Sequence, residues 1–218
     1  ILHFGLDASL LKFYKSCEKN EQPMYVTNAY IFLLLINILF LFIQFLLYKP
    51  LSGIILGDGF SSIMILLSLI LFFDVLWSVP MLMMRADNKP GNFIAFNLIG
   101  VFITLTLNIV LVVNMGMGIS GVFISNLVSS FVLFLLTFYY LWGKFHIQHM
   151  DSLILRKLLG FGSPFILAGI FSMIIEFSDR YMIEHFLDLN QLGLYSASYK
   201  LGSIMLLFVM AFNYAWQP

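Results

Sequence analysis

The chain has 218 residues, of which 61% are hydrophobic and 10% charged, and its mean hydropathy is +0.98. Because soluble domains are about 25% charged, this composition excludes a soluble globular domain and predicts a membrane protein. Eleven basic residues balance eleven acidic ones, so the net charge says little about partners, and we expect none that is a nucleic acid.

Apolar runs long enough to cross a membrane recur along the whole chain. A spanning helix needs about 20 apolar residues for a hydrocarbon core of about 30 Å. The runs predict an all-α, polytopic transmembrane helix bundle with six full spans, at 25–48, 60–84, 92–113, 119–142, 163–185 and 193–216. Residues 1–14 have the pattern of the end of another helix. Since the chain begins without Met and ends directly after an apolar run, we expect a fragment, truncated at both ends.

Basic residues between the spans predict the orientation, because cationic loops stay in the cytoplasm. Loops 12–24, 85–91 and 143–162 carry eight lysines and arginines, whereas the alternating loops carry only Lys49. We therefore expect the three basic loops to be cytoplasmic. Cys17 is the single cysteine, which excludes an intrachain disulfide and a cysteine-based metal site.

Polar side chains follow a helical spacing in three of the spans. Such side chains commonly form hydrogen bonds between packed membrane helices, and a water-filled cavity lined by several helices is the alternative. On the cavity interpretation, Asn37 and Asn108 are candidate substrate-binding residues. The three stripes consist of Tyr30, Asn37 and Gln44, then Asn97, Thr104 and Asn108, then Asn126, Ser130 and Thr137.

Asp74 is an isolated carboxylate near the middle of the second span, followed by Ser78 and Pro80. A carboxylate at this depth is expensive and is often functional. It is a candidate for coupling transport to a cation such as H⁺ or Na⁺. A hydrogen-bonded Asp at a helix contact next to a proline kink is the alternative.

The connection 143–162 is longer than the others. Residues 151–159 open with an acid and place leucines and an isoleucine on successive turns, which favours a short amphipathic helix on the cytoplasmic surface. A solvated loop is the alternative. With connections this short and no HExxH or similar motif in the sequence, we expect no enzyme, no metal site and no cofactor.

Four charged residues lie inside the last two spans, where each costs about 2.5–3.5 kcal/mol. Glu176, Asp179 and Arg180 are in the fifth span and Lys200 is in the sixth. An antiparallel hairpin would place them at a similar depth, about 8–13 Å below the outer end. They could form a closed ion network that only joins the two helices. Because buried ion pairs often gain little over apolar packing, we favour a binding site.

The chemistry of this cluster suits an anionic head group. Arg180 can form bidentate hydrogen bonds to phosphate, and Lys200 adds a second cation with Tyr199 beside it. Glu176 and Asp179 would balance these charges in the empty site or take up protons or a cation. We therefore predict a transporter for an anionic substrate.

Several motifs in the same region resemble a known family. The fifth span begins with Gly162-x-Pro164 and carries the run from Ser178 to Tyr181, and the sixth begins with Gly193-x-Tyr195 and ends at Pro218. Together they are similar to the start of the second half of bacterial polysaccharide flippases. These are the Wzx-type members of the multidrug/oligosaccharidyl-lipid/polysaccharide exporter superfamily. Upstream, the looser motif MGMGISG is similar to the family's entry into its sixth helix.

The resemblance implies that the six spans are helices three to eight of a longer transporter in the bacterial cytoplasmic membrane. Such a protein moves undecaprenyl-diphosphate-linked oligosaccharide to the outer leaflet, by alternating access between two six-helix bundles, in polysaccharide or O-antigen biosynthesis. Residues 1–142 would form most of the first bundle, 143–162 a cytoplasmic linker and 163–218 the start of the second.

The resemblance also implies roles for individual residues and partners. Arg180 and Lys200 would bind the diphosphate, while Asp74, Glu176 and Asp179 would serve coupling or charge balance. Partners would be membrane lipids, the lipid-linked oligosaccharide, and a polymerase and glycosyltransferases of the same pathway. A multidrug or small-molecule exporter of the same superfamily is the first alternative, and a membrane-embedded glycosyltransferase or polymerase is the second.

Overall fold

The computed structural model describes residues 3–55, 61–142 and 151–216, and the regular structure in these ranges is helical. The helices are α1 (Leu6–Ser16), α2 (Gln22–Ile55), α3 (Ser61–Ala86), α4 (Pro90–Asn108), a π-helical segment (Ile109–Asn114), α5 (Gly118–Trp142), α6 (Ser152–Phe186), α7 (Leu189–Gly202) and α8 (Ile204–Trp216). This confirms the all-α fold.

The six predicted spans are also confirmed as helices long and apolar enough to cross a membrane. Their bounds are Gln22–Tyr48, Ser62–Ala86, Pro90–Asn114, Gly118–Trp142, Ser152–Phe186 and Leu189–Asn213. The chain is therefore a multi-pass membrane protein. It divides into two compact units, one reaching as far as Gly162 and the other beginning at Ser163.

The core of the first unit lies around α1, whose apolar side chains are almost completely buried. Leu6 and Leu10 are 0% and 1% exposed, and they join a cluster with buried residues of α2, α3 and α5. Val75, Val79 and Met83 recur at four-residue spacing on α3, so they present one continuous face to this cluster. By contrast, α4 buries little besides Gly100, which is the pattern of a helix that faces lipid.

The helix predicted at 151–159 is observed as the first turns of α6, which runs without a break from Ser152 to Phe186 and so is not separate from the span predicted to begin at 163. Its location on the cytoplasmic surface stays a prediction. Pro164 lies inside this helix, although proline removes one helical hydrogen bond. Membrane helices tolerate proline because neighbouring helices, hydroxyl side chains and local adjustments of the helix satisfy the backbone groups that it frees. Pro50 and Pro80 likewise lie inside helices. Residues 143–150 of the predicted loop lie outside the described residues.

Two other spans differ in detail from the prediction. The third changes from α-helix to π-helix after Asn108, and π-helical segments are often found at functional sites. The last predicted span consists of α7 and α8, which are separated at Ser203 directly after Gly202. Glycine disfavours helix by about 1 kcal/mol, which accounts for a turn at this point. The motif end at Pro218 lies outside the described residues.

The second unit exposes most of its apolar surface. Ile175 on α6, Leu201 on α7 and Phe208 on α8 are each at least 70% exposed. The connection between α6 and α7 is only two residues long, Leu187 and Asp188. Asp188 caps α7 by accepting a hydrogen bond from the backbone N–H of Gln191 at 2.7 Å, which fixes the start of that helix.

Candidate functional site

The charged residues of the second unit lie on the last turns of α6 and on α7. Asp179 accepts a hydrogen bond from the Tyr195 hydroxyl at 3.1 Å. The Arg180 guanidinium lies over the Tyr199 ring, 5.4 Å from its centroid, and 5.7 Å from the centroid of Phe177. The two helices therefore contact each other through tyrosines of α7 and charged residues of α6.

The closed ion network does not form among the described residues. Glu176, Asp179, Arg180 and Lys200 make no ion pair within 4.0 Å, although the spacing of Glu176 and Arg180 favours one. An aromatic ring attracts a guanidinium without neutralising its charge. Arg180 and Lys200 thus keep their positive charge available, and their role in binding a substrate stays a prediction.

Asp74 joins α3 to α5. Its Oδ1 accepts one hydrogen bond from the Ser130 hydroxyl at 2.6 Å and another from the Trp77 indole N–H at 2.9 Å. This is the geometry expected for a carboxylate at a helix contact. These bonds place the carboxylate between α3 and α5. Its role in cation coupling stays a prediction.

The predicted polar stripes mostly bond to their own helices. Asn37, which is 0% exposed, donates to the Leu33 carbonyl at 2.7 Å. Asn97 and Thr137 likewise donate to carbonyls four residues earlier. Such bonds satisfy a polar side chain without any partner across the bundle, which favours the structural interpretation for these donors.

Three acceptors on the stripes have no hydrogen-bond partner in the described part of the chain. They are Oδ1 of Asn37, Oε1 of Gln44 and Oδ1 of Asn108, and all three atoms are buried. Gln44 also lines a cavity of about 190 Å³ between α2 and α3, together with Tyr48 and Ser68. Since a buried acceptor without a partner is unfavourable, a donor from a ligand or a water molecule at any of these three atoms would be favourable.

The sequence did not point to a carboxylate that joins three helix ends. Asp87 follows α3 and accepts hydrogen bonds from Tyr14 of α1 at 2.7 Å and Tyr140 of α5 at 2.9 Å. Burial and the hydrogen bond to Asp87 raise the pKa of Tyr14, so its hydroxyl remains a donor. The sequence offered one signal for this contact, which is a tyrosine near the end of α1 and another near the end of α5.

A second set of contacts joins the start of α2 to the start of α6. The backbone N–H of Asp151 donates to the Asn28 side chain at 3.1 Å, and the Lys157 ammonium donates to the Tyr25 hydroxyl at 3.3 Å. The first set involves the segments 12–24 and 85–91, and the second involves the segment 151–162. We call the region formed by these three segments the basic end of the first unit. Its cytoplasmic orientation stays a prediction from charge.

Within the described residues, no group of three or more histidine, cysteine or acidic side chains is arranged to hold a metal ion.

No curated protein and no solved structure matches the chain. One family model, described as a polysaccharide biosynthesis protein, matches residues 1–212. Because that match covers nearly the whole chain, the chain belongs to this family of polysaccharide biosynthesis proteins.

Proposed function

We propose that the protein is a flippase that moves a lipid-linked oligosaccharide, carried on undecaprenyl diphosphate, across the bacterial cytoplasmic membrane by alternating access. The family gives the chain a role in polysaccharide biosynthesis, and the six apolar helices make it a multi-pass membrane protein. A membrane protein of this pathway that carries cations inside its spans is well suited to transport an anionic lipid intermediate.

The observation that carries the proposal is that Arg180 and Lys200 lie in apolar helices without an ion pair among the described residues. Both lie within helices long and apolar enough to span a membrane, and neither forms an ion pair with the described carboxylates. A cation at this depth costs about 2.5–3.5 kcal/mol, which a permanent ion pair would offset. That Arg180 and Lys200 are not paired in this way supports a role in binding a transient anion, such as the diphosphate. Tyr199 would hold the Arg180 guanidinium in position.

The remaining candidates have supporting roles in the proposal. Asp179 orients Tyr195 through its hydrogen bond, which places a polar tyrosine beside the arginine. Glu176 and Asp74 would respond to H⁺ or Na⁺ during the transport cycle. Asn37 and Asn108 each offer a buried acceptor without a partner in the described residues, which suits the hydroxyl groups of a sugar.

The proposal is tested by replacing the two cations in the full-length protein. Arg180→Ala and Lys200→Ala should each reduce export of polysaccharide about 10- to 100-fold in a strain that lacks the native gene. That range corresponds to one charge-assisted hydrogen bond of about 1.5–3 kcal/mol. Surface polysaccharide is measured together with the abundance of the protein in the membrane, and lipid-linked oligosaccharide should accumulate on the inner leaflet.

Matched variants separate binding from stability. Arg156→Ala removes an exposed arginine near the start of the same helix and should leave export unchanged, while Arg180→Lys should retain part of it. If both alanine variants export normally, the diphosphate assignment is wrong. If the abundance of the protein falls in parallel with export, the cations are structural. A multidrug exporter would leave the lipid-linked oligosaccharide correctly distributed after deletion, and a polymerase would change only the polysaccharide chain length.

A further inference from the structure

Two lysines and three aromatic rings meet at the basic end of the first unit. The Lys12 ammonium of α1 lies 3.9 Å from the centroid of Phe161 of α6 and 5.6 Å from that of Phe13. The Lys157 ammonium of α6 lies 4.9 Å from the centroid of Phe13 and 5.8 Å from that of Tyr25 of α2. Three helices thus hold two cations around one shared ring.

The rings form a single rigid support for these cations. Phe13 stacks on Tyr25 at a centroid distance of 6.0 Å and meets Phe161 edge to face at 5.8 Å. Such pairs are favourable beyond the area that they bury. The aromatic groups therefore limit where the two ammonium groups can lie, although both lysines are exposed at the surface.

The two lysines form no ion pair in the described part of the chain. Neither Lys12 nor Lys157 has a carboxylate within 4.0 Å among the described residues. Two like charges held at one ring repel each other, and an anion between them would remove that repulsion. A lysine offers three donors and a compact charge, which suits phosphate oxygens.

We propose that Lys12 and Lys157 bind the phosphate group of an anionic membrane lipid. The pair lies where α2 and α6, two helices capable of spanning a membrane, begin. The ends of spanning helices lie near the lipid head groups, and lysine stems extend along apolar surface to place the ammonium there. This inference does not depend on the proposed flippase function, since any anionic phospholipid supplies the phosphate.

A bound lipid would also join α1 to α6. The two helices already approach closely at their glycines, because a Cβ on Gly162 would lie 3.0 Å from the carbonyl oxygen of Gly5. A phosphate contacting both lysines would strengthen this junction. Because only the folded protein presents the site, lipid binding should raise the stability of the protein, by an amount that grows with the logarithm of the lipid concentration once the site is saturated.

The test measures binding of short-chain phosphatidylglycerol to the purified full-length protein in neutral detergent, by native mass spectrometry and by thermal unfolding. The double variant Lys12→Gln and Lys157→Gln should bind about 30-fold more weakly. That factor corresponds to about 1 kcal/mol for each lysine, at 1.4 kcal/mol per factor of ten. Lys12→Arg with Lys157→Arg retains both charges and should bind close to the original strength.

A control variant removes the same charge elsewhere. Lys15→Gln with Lys19→Gln changes two exposed lysines of the same segment, and these lysines contact none of the three rings. This variant should weaken lipid binding less than about threefold, because it removes only a screened long-range attraction. The site is overturned if this control loses as much binding as the Lys12 and Lys157 variant, or if neither loses any. The lipid assignment is overturned if inorganic phosphate or pyrophosphate binds as tightly as the lipid. Should the glutamine variant fail to fold, the arginine variant decides, because loss of lipid binding there contradicts the proposal.

Discussion

Removing the Asp87 carboxylate should destabilise the first unit. Tyr14 and Tyr140, on different helices, donate to it at 2.7 and 2.9 Å. A hydrogen bond to a charged group contributes about 1.5–3 kcal/mol, and the lower value applies here because Asp87 is only partly buried. Asp87→Ala should therefore lower the free energy of unfolding by about 3 kcal/mol. Asp87→Asn should cost less, since an amide can accept from one hydroxyl and donate to the other.

The assay is unfolding of the purified full-length protein by a denaturing detergent in mixed micelles, followed by tryptophan fluorescence. Double-mutant cycles that combine Asp87→Ala with Tyr14→Phe or Tyr140→Phe isolate each hydrogen bond. Each cycle should give a coupling energy of about 1.5 kcal/mol. Tyr139→Phe is the matched control, because Tyr139 adjoins Tyr140 in the chain but is 86% exposed, and its effect should stay within about 0.5 kcal/mol.

A specific result would refute this reasoning. If both coupling energies are below about 0.5 kcal/mol, the limit within which independent sites add, Asp87 does not hold the helix ends together. The position of α1 would then depend on its other contacts, chiefly the apolar burial of Leu6 and Leu10. A large effect of Asp87→Ala with no coupling to either tyrosine would lead to the same conclusion.

Two further predictions concern contacts between helices. Ser130→Ala removes the hydrogen bond to Asp74 and should lower the free energy of unfolding by about 0.6–1.7 kcal/mol. Ser125→Ala removes only a bond to its own helix and should lower it less. Equal losses in detergent unfolding would contradict the α3–α5 contact. Gly162→Ala should destabilise the protein by about 1–3 kcal/mol, because the added Cβ would meet backbone atoms of Gly5. Gly160→Ala should be neutral or stabilising, because nothing lies within 4 Å of a Cβ at that position. If Gly162→Ala has no effect, the two segments can separate there.

Length and hydropathy were enough to predict the spans. A membrane helix must satisfy its backbone internally and cover a fixed thickness, so each span can be identified from its own residues. The predicted limits 119–142 differ by one residue from the observed α5, Gly118–Trp142. The limits differ more at α6, because this helix begins at Ser152, whereas the apolar run predicted a span beginning at 163.

Contacts between distant segments could not be predicted in this way. Asp87 bonds to partners 73 and 53 residues away, and nothing in the local pattern of either tyrosine identifies the other partner. The charged hairpin shows the same limit, because helical spacing favoured a Glu176–Arg180 pair, whereas Arg180 lies over Tyr199 of α7. Spacing fixes which residues share a face of one helix, but tertiary packing decides which of them meet across two.

The cations of both proposed sites are held by the same physical means. Arg180 lies over Tyr199, and Lys12 and Lys157 lie around Phe13. An ion pair would position a cation but would also cancel its charge. A ring attracts the cation by only about 0.5–1 kcal/mol at an exposed site, and leaves the charge free to attract an anion. At both proposed sites an anion could therefore bind without displacing a resident carboxylate.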